Sequence, residues 1–296
     1  MKSVFAEFSS FWPQSSHKAL EPMLDQIPFY YFPEGRMAIA NAKDAKRSIV
    51  VMTQGEVRDI IQLTALGFEH CVQRNRPDFA QELLAAALMV SRPEAFVKNP
   101  VPFFFTGFSQ SNTGPTETNM TVPFRKTSDK EYLLERLGTF LKQNPKLKGL
   151  SDICIQVADE LVANALFSSP ADFKGANLYQ EVDRNSEIVL PELKKATFFA
   201  CFSDYRVIVG CEDRFGSFKK NHLIDHLENS FLKNKATARG SQSAGAGLGF
   251  RYMIENSANF YIYCDKGRRS LVAAGFLLQG LKANFSSQKH FHLSFK

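Results

Sequence analysis

One stretch limits the architecture of this chain more than any other: Gly107-Phe-Ser-Gln-Ser-Asn-Thr-Gly-Pro115 carries no charge and has the composition of a linker. It interrupts 296 residues, a length that suits one large or two ordinary domains. The charge changes character at the same place. Residues 1–115 hold 11 basic and 11 acidic side chains, whereas residues 116–296 hold 25 and 19 and so carry the whole net charge of +6. The expected organisation is an amino-terminal domain over 1–106, a linker over 107–115 and a carboxy-terminal domain over 116–296.

Before the linker, short apolar runs alternate with amphipathic segments. Lys2–Phe8 and Pro28–Phe32 read as strands flanking a short helix at Ser16–Gln26. Arg47–Thr53 reads as a strand covered on both faces, because Ile49, Val50, Val51 and Met52 leave no polar side. Glu56–Leu66 groups Ile60, Ile61, Leu63 and Leu66 on one helical face, Glu69–Val72 is a short strand, and Pro77–Val90 is a helix with Pro near its start. Strands alternating with helices predict an α/β domain with a parallel sheet. The span Ile49–Val90 resembles the second half of a bacterial response-regulator receiver domain: an apolar strand ending in Thr53, a helix, Leu66-Gly67-Phe68, a short strand and a final amphipathic helix. It departs from that family at the chemistry. Ala6-Glu7 is the nearest candidate for the acidic pair, no Asp occupies the phosphoacceptor place, and Arg74-Asn75 stands where the family has Lys-Pro. The resemblance implies a degenerate receiver used for contacts, and an unrelated small α/β domain is the other reading.

After the linker the pattern becomes a strand (Asn119–Arg125), two helices (Ser128–Gln143 and Leu150–Phe167) and then consecutive strands. Ser128 and Glu131 form an S-x-x-E capping box at the first helix. Ala196–Ser203 with Tyr205–Cys211, and Asn259–Cys264 with Ser270–Leu278, read as hairpins, and His290–Phe295 as a closing strand. Hairpins predict an antiparallel or mixed sheet in an α+β domain.

Three motifs follow in order. Glu160 and Asn164 stand four apart in the helix ending at Phe167, so they share one face; there they can hold Mg²⁺ and a water beside a phosphate, or simply meet solvent. Gly210-Cys-Glu-Asp-Arg-Phe-Gly-Ser217 closes an apolar strand; its Asp213 can accept a hydrogen bond from an exocyclic amine such as that of adenine, or merely shape a turn. Ser243-Ala-Gly-Ala-Gly-Leu-Gly-Phe250 precedes an amphipathic helix, where glycines permit close approach of a ligand and helix N–H groups favour phosphate. It is neither the dinucleotide G-x-G-x-x-G nor a P-loop.

In this order the three resemble the N, G1 and G2 boxes of the GHKL superfamily, the Bergerat-fold ATPases that include histidine kinases and DNA gyrase. The resemblance covers about residues 116–296. The compact lead-in Met120–Asp129 with two helices looks most like the anti-sigma-factor serine kinases. It implies a Bergerat α/β sandwich, a mixed sheet with helices on one face, that binds ATP and Mg²⁺. By that resemblance Asn164 ligates Mg²⁺ and Glu160 orients or deprotonates the attacking group. Asp213 binds the adenine amine, with Phe215 and Gly216 beside it, and Gly245, Gly247, Leu248 and Gly249 line the triphosphate. Phe215 and Ser217 replace the usual G1 glycines, so Phe215 is expected to pack on the adenine or narrow its pocket. Phe218–Ala244 takes the place of the ATP lid, with Lys219, Lys220, Lys233, Lys235 and Arg239 against Asp225 and Glu228; Arg239 is the expected phosphate contact.

Other classes fit poorly. No phosphoacceptor histidine precedes the N box, since the chain has none between His70 and His222, so this is not a typical histidine kinase. His222 and His226, four apart, are a weak metal pair, and His290 and His292 read as a surface pair. No nucleophile elbow or nucleic-acid reader motif occurs. Cys71, Cys154, Cys201, Cys211 and Cys264 contain no C-x-x-C pair and suggest no disulfide framework. No apolar run approaches the roughly 18 residues of a membrane span, the amino terminus is unlike a secretory signal, and the cytoplasm is the expected address. The expected function is a bacterial signalling kinase acting on Ser or Thr of a partner protein (a sigma factor, an anti-anti-sigma regulator or another regulator), with homodimerisation common in that family. The alternative is a nucleotide-dependent or pseudo-ATPase switch without turnover.

Overall fold

The computed structural model describes residues 4–11, 14–99, 103, 119–172, 174–179, 181–202, 206–232, 244–278 and 288–296. The chain divides into two compact units: Met1–Gly114 with Ser287–Ser294, and Pro115–Ser286 with Phe295–Lys296. The expected linker at 107–115 lies outside the described residues. No helix among the described residues is long and apolar enough to cross a membrane.

The first unit runs α1 (Val4–Phe8), α2 (Gln14–Leu24), β1 (Phe29–Phe32), α3 (Arg36–Ala40), β2 (Ile49–Met52), α4 (Val57–Ala65), β3 (His70–Gln73), α5 (Phe79–Ser91) and α6 (Pro93–Lys98). Strands β1, β2 and β3 are parallel in that order, with Ile49 opposite Phe29 and His70. All four side chains of β2 are fully buried, as a strand covered on both faces requires. Helix α5 is apolar nearly all round, which suits a helix sunk in the core. The strand expected over Lys2–Phe8 is instead helix α1. Phe5 and Phe8, three apart, share a helical face and pack with Leu20, Leu24, Phe79 and Leu83. Glu7 is therefore not part of an acidic pair behind a strand; its carboxylate accepts from Tyr31 Oη and pairs with Arg74 Nη1 at 2.9 Å.

The last strand of the chain, β9 (His290–Phe295), runs antiparallel to β3, with His292 opposite His70, and groups up to Ser294 with the first unit rather than the second. The first unit's sheet is thus mixed, not purely parallel. His290 and His292 are not a surface pair: they are 0% and 1% exposed, because carboxylates of the α5 region meet them in the core.

The second unit contains β4 (Asn119–Phe124), α7 (Asp129–Lys142), α8 (Ser151–Ala163), β5 (Ala196–Phe202), β6 (Arg206–Asp213), α9 (Lys220–Leu227), α10 (Ala244–Asn256), β7 (Asn259–Asp265) and β8 (Arg269–Leu277). Its strands are antiparallel in the order β7-β8-β6-β5-β4. Only β4 alternates between exposed and buried; β5 to β8 are buried at nearly every position, unlike a sheet open on one side. Leu133, Leu137, Phe140 and Leu141 of α7, and Cys154, Val157, Ala158 and Leu161 of α8, recur at helical spacing and form the core faces of these helices. Ser128 does not cap α7. Its hydroxyl donates to Glu187, and the Asp129 carboxylate instead reaches back to accept from the N–H groups of Arg125 and Lys126 at 3.0 and 3.1 Å.

Candidate functional site

Helix α8 gives way to a π-helical turn at Asn164–Ser168, a local rewinding frequent at functional sites. Leu161, Asn164, Ala165 and Ser168, spaced as one helical face, form one wall of a cavity of about 270 Å³. Its floor is built by period-2 geometry: Cys211 and Asp213 of β6 stand opposite Val272 and Ser270 of β8, so all four side chains share a sheet face. A second wall comes from Lys219, His222, Leu223 and His226 along α9 at helical spacing, and Phe250 and Met253 of α10 add a third. Ser169, Ser217 and Phe218 complete the lining. The space is mostly apolar with a few convergent polar groups, the usual character of a small-molecule site.

Asp213 is the most constrained of those groups. It is 5% exposed, and its Oδ1 accepts from the N–H of Phe215 at 2.8 Å and of Gly216 at 3.3 Å. Burial raises its carboxyl above the ordinary range, while those two N–H groups and the hydroxyls of Ser169 and Ser270 pull it back. The net effect is a buried acceptor held in one orientation. Asn164 Oδ1 accepts from Ser168 Oγ at 3.3 Å and retains its amide for other contacts.

Glu160 lies one turn before Asn164 and is held against α10. A Cβ on Gly249 would overlap its carboxylate, so only glycine admits this approach. Its Oε2 is buried without a hydrogen-bond partner, with Arg184 Nη1 at 3.9 Å. Burial raises the Glu160 carboxyl, and Arg184 partly offsets this. A carboxylate raised above its ordinary range is a better proton acceptor than an exposed one.

Other expected site residues sit elsewhere. Phe215 does not narrow the cavity; its ring lies beneath Lys194 Nζ, 5.3 Å from the centroid, and it is absent from the lining. Gly216 also stays out of the lining. With φ +60° it packs against the backbone of Asp265, Arg268 and Arg269, and its carbonyl accepts from Gly267 N–H at 3.0 Å. These two residues build the turn that aims Asp213. Ser217 faces the cavity and donates to the Ser169 carbonyl at 2.7 Å. Gly245, Gly247, Leu248 and Gly249 do not precede the helix but belong to the first turns of α10. Arg239, Lys233 and Lys235 lie outside the described residues. Among the described residues no cluster of three metal-ligating side chains occurs, so His222 and His226 gain no third ligand. The five cysteines are free and buried, and burial pushes the Cys71 thiol up to about 12, which suppresses thiolate chemistry.

Comparison with family models, curated proteins and solved structures found no match.

Ser169 and Ser270 were invisible as site residues in the sequence. Ser270 joins Asp213 only through the β6–β8 register, and Ser169 only through the rewound turn after α8. His222 and His226 carried a signal, their spacing of four, but it points to a shared cavity wall rather than to a metal.

Proposed function

We propose that the second unit binds ATP·Mg²⁺ in the manner of the GHKL ATPases and acts as a protein serine/threonine kinase of the anti-sigma type. The observation that carries this reading is that Asn164 and Asp213, 49 positions apart in sequence, face one cavity, with Glu160 a turn away against Gly249. The residues fit the group. Asp213 offers a buried acceptor for an amine, the Asn164 amide oxygen suits a hard cation, and Oε2 of Glu160, which faces Arg184 at 3.9 Å, accepts no hydrogen bond. When bound, ATP·Mg²⁺ supplies the phosphoryl group and neutralises charge on it. Glu160 would take the proton of a partner's hydroxyl. The partner would be a sigma factor, an anti-anti-sigma protein or a related regulator.

The first unit is, in this reading, a contact module of receiver-like cast. Parallel β2 and β3 alternate with α4 and α5, and Glu7 is engaged by Arg74 and Tyr31 rather than poised for metal.

A second reading, a nucleotide-dependent switch without turnover, is favoured by Arg184, whose cation already faces the Glu160 carboxylate. Turnover separates the two. Wild-type protein given ATP·Mg²⁺ and labelled at the γ position is expected to release or transfer phosphate, and Glu160→Gln to lose at least about 100-fold in rate while still binding nucleotide. Binding without turnover in both proteins would replace the kinase with the switch.

A further inference from the structure

The imidazole of His226 is a polar group of the cavity to which the phosphoryl chemistry gives no role. It comes from α9, the helix at the position of the lid, and shares the cavity wall with Lys219, His222 and Leu223. Its Nε2 is buried and has no hydrogen-bond partner, although the ring itself is fixed edge-on against Phe250, with centroids 6.0 Å apart and planes at 79°. A buried polar atom without a partner is uncommon and costly in a folded protein, and in a cavity wall it is most simply satisfied by a ligand. Asp213 lines the floor and its carboxylate supplies acceptors, with Oδ1 engaged by the N–H groups of Phe215 and Gly216. A ligand meeting both residues must present a donor to Asp213 and an acceptor to an Nε2–H. An amino-substituted heterocycle does this on one flat edge, where a ring nitrogen neighbours an amine.

We infer that His226 Nε2 donates a hydrogen bond to a ring nitrogen of the bound base and is a specificity-determining residue of the cavity. The inference rests on the nucleotide reading above and adds the residue that reads the base from the lid side. It makes the α9 wall a part of recognition.

The test is calorimetric titration of the full-length protein with Mg²⁺ and ATP, GTP, or the 1-deaza, 3-deaza and 7-deaza analogues of ATP. Wild type is expected to bind ATP at least about tenfold more tightly than GTP, and to lose about tenfold with one deaza analogue. His226→Phe, which extends the apolar wall beside Phe250, is expected to bind ATP about tenfold more weakly and to be indifferent to that same deaza substitution. His226→Gln, whose amide can present a donor where Nε2 stands, should stay within about threefold of wild type. Should His226→Phe fail to fold, as judged by circular dichroism, the deaza series on wild type decides alone. Equal affinity of wild type for ATP and all three analogues overturns the inference while leaving the ATP site standing, as does unaltered binding by His226→Phe. A wild-type protein that takes up no nucleotide overturns both.

Discussion

Nε2 of His290 lies 3.1 Å from Oδ1 of Asp78, at a point where neither side chain is more than 1% exposed. The pair belongs to a buried polar clasp. The N–H of Gln73 donates to His290 Nδ1 at 3.1 Å, so Nδ1 is the acceptor and Nε2 carries the proton toward Asp78. Arg76 grips the same carboxylate through Nε and Nη2 at 3.0 and 2.9 Å and donates from Nη1 to the Gln288 carbonyl. Beside it, His292 Nε2 meets Glu82 Oε2 at 3.0 Å.

This clasp predicts acid sensitivity. Burial, together with the Arg76 charge, pushes His290 down to about 3, while the unfolded chain takes up that proton near pH 6.5. Burial alone would raise the Asp78 carboxyl, but hydrogen bonding by His290 and the Arg76 guanidinium outweigh it and hold it well below the usual range. Both shifts act in one direction: the native state refuses protons that the unfolded state accepts. The clasp's contribution to stability is full above pH 6.5 and falls by about 1.4 kcal/mol per pH unit below it through His290, with Asp78 adding to the loss below about pH 4. Thermal melts of wild type and His290→Gln between pH 7.5 and 4.5 check this. The variant keeps a donor for Asp78 and an acceptor for Gln73, and its slope should be flatter; identical slopes would remove His290 from the account.

Gly249→Ala tests the seat of Glu160. The added methyl overlaps the carboxylate and must displace it. A displacement of about 1 Å at a reacting group costs on the order of 100-fold in rate. Turnover by Gly249→Ala is expected to fall by about that much in kcat, with KM for ATP changed by less than about threefold. Wild-type kinetics in this variant would mean that Glu160 does not need its place beside α10.

Asp213→Asn separates stability from binding. The buried carboxyl is harder to ionise in the native state than in the unfolded chain, so this group's contribution to stability is lost as pH rises above about 3.9. Asn keeps an acceptor for the N–H groups of Phe215 and Gly216 without a buried charge. At pH 7 the variant should melt at or above the wild-type temperature and bind ATP at least about tenfold more weakly. A variant with both properties unchanged sinks the amine-binding role.

Much of this arrangement was legible in the residues. The apolar run of β2, the helical stripe of α8 and the hairpin of β7 and β8 follow from local periodicity, and the spacing of Glu160 and Asn164 already placed them on one face. What the sequence hid depends on distant pairing. The segment Val4–Phe8 is too short for its period to choose between strand and helix, and packing of Phe5 and Phe8 against Leu24 and Phe79 chose the helix. The isolated polar letters of β9 looked solvated, yet each histidine finds a carboxylate more than 200 positions away. Phe215 read as an obstruction because nothing local shows that Lys194 will cover its ring outside the cavity.

The central claim is that the cavity between α8, α9 and α10, floored by Asp213, is a nucleotide site, and calorimetric titration of the full-length protein with ATP·Mg²⁺ tests it most directly. Saturable binding in the micromolar to low-millimolar range is the expected result, weakened at least about tenfold in Asn164→Ala, whose side chain would hold the metal. No heat of binding at millimolar ATP, or equal binding by wild type and Asn164→Ala, would contradict the account.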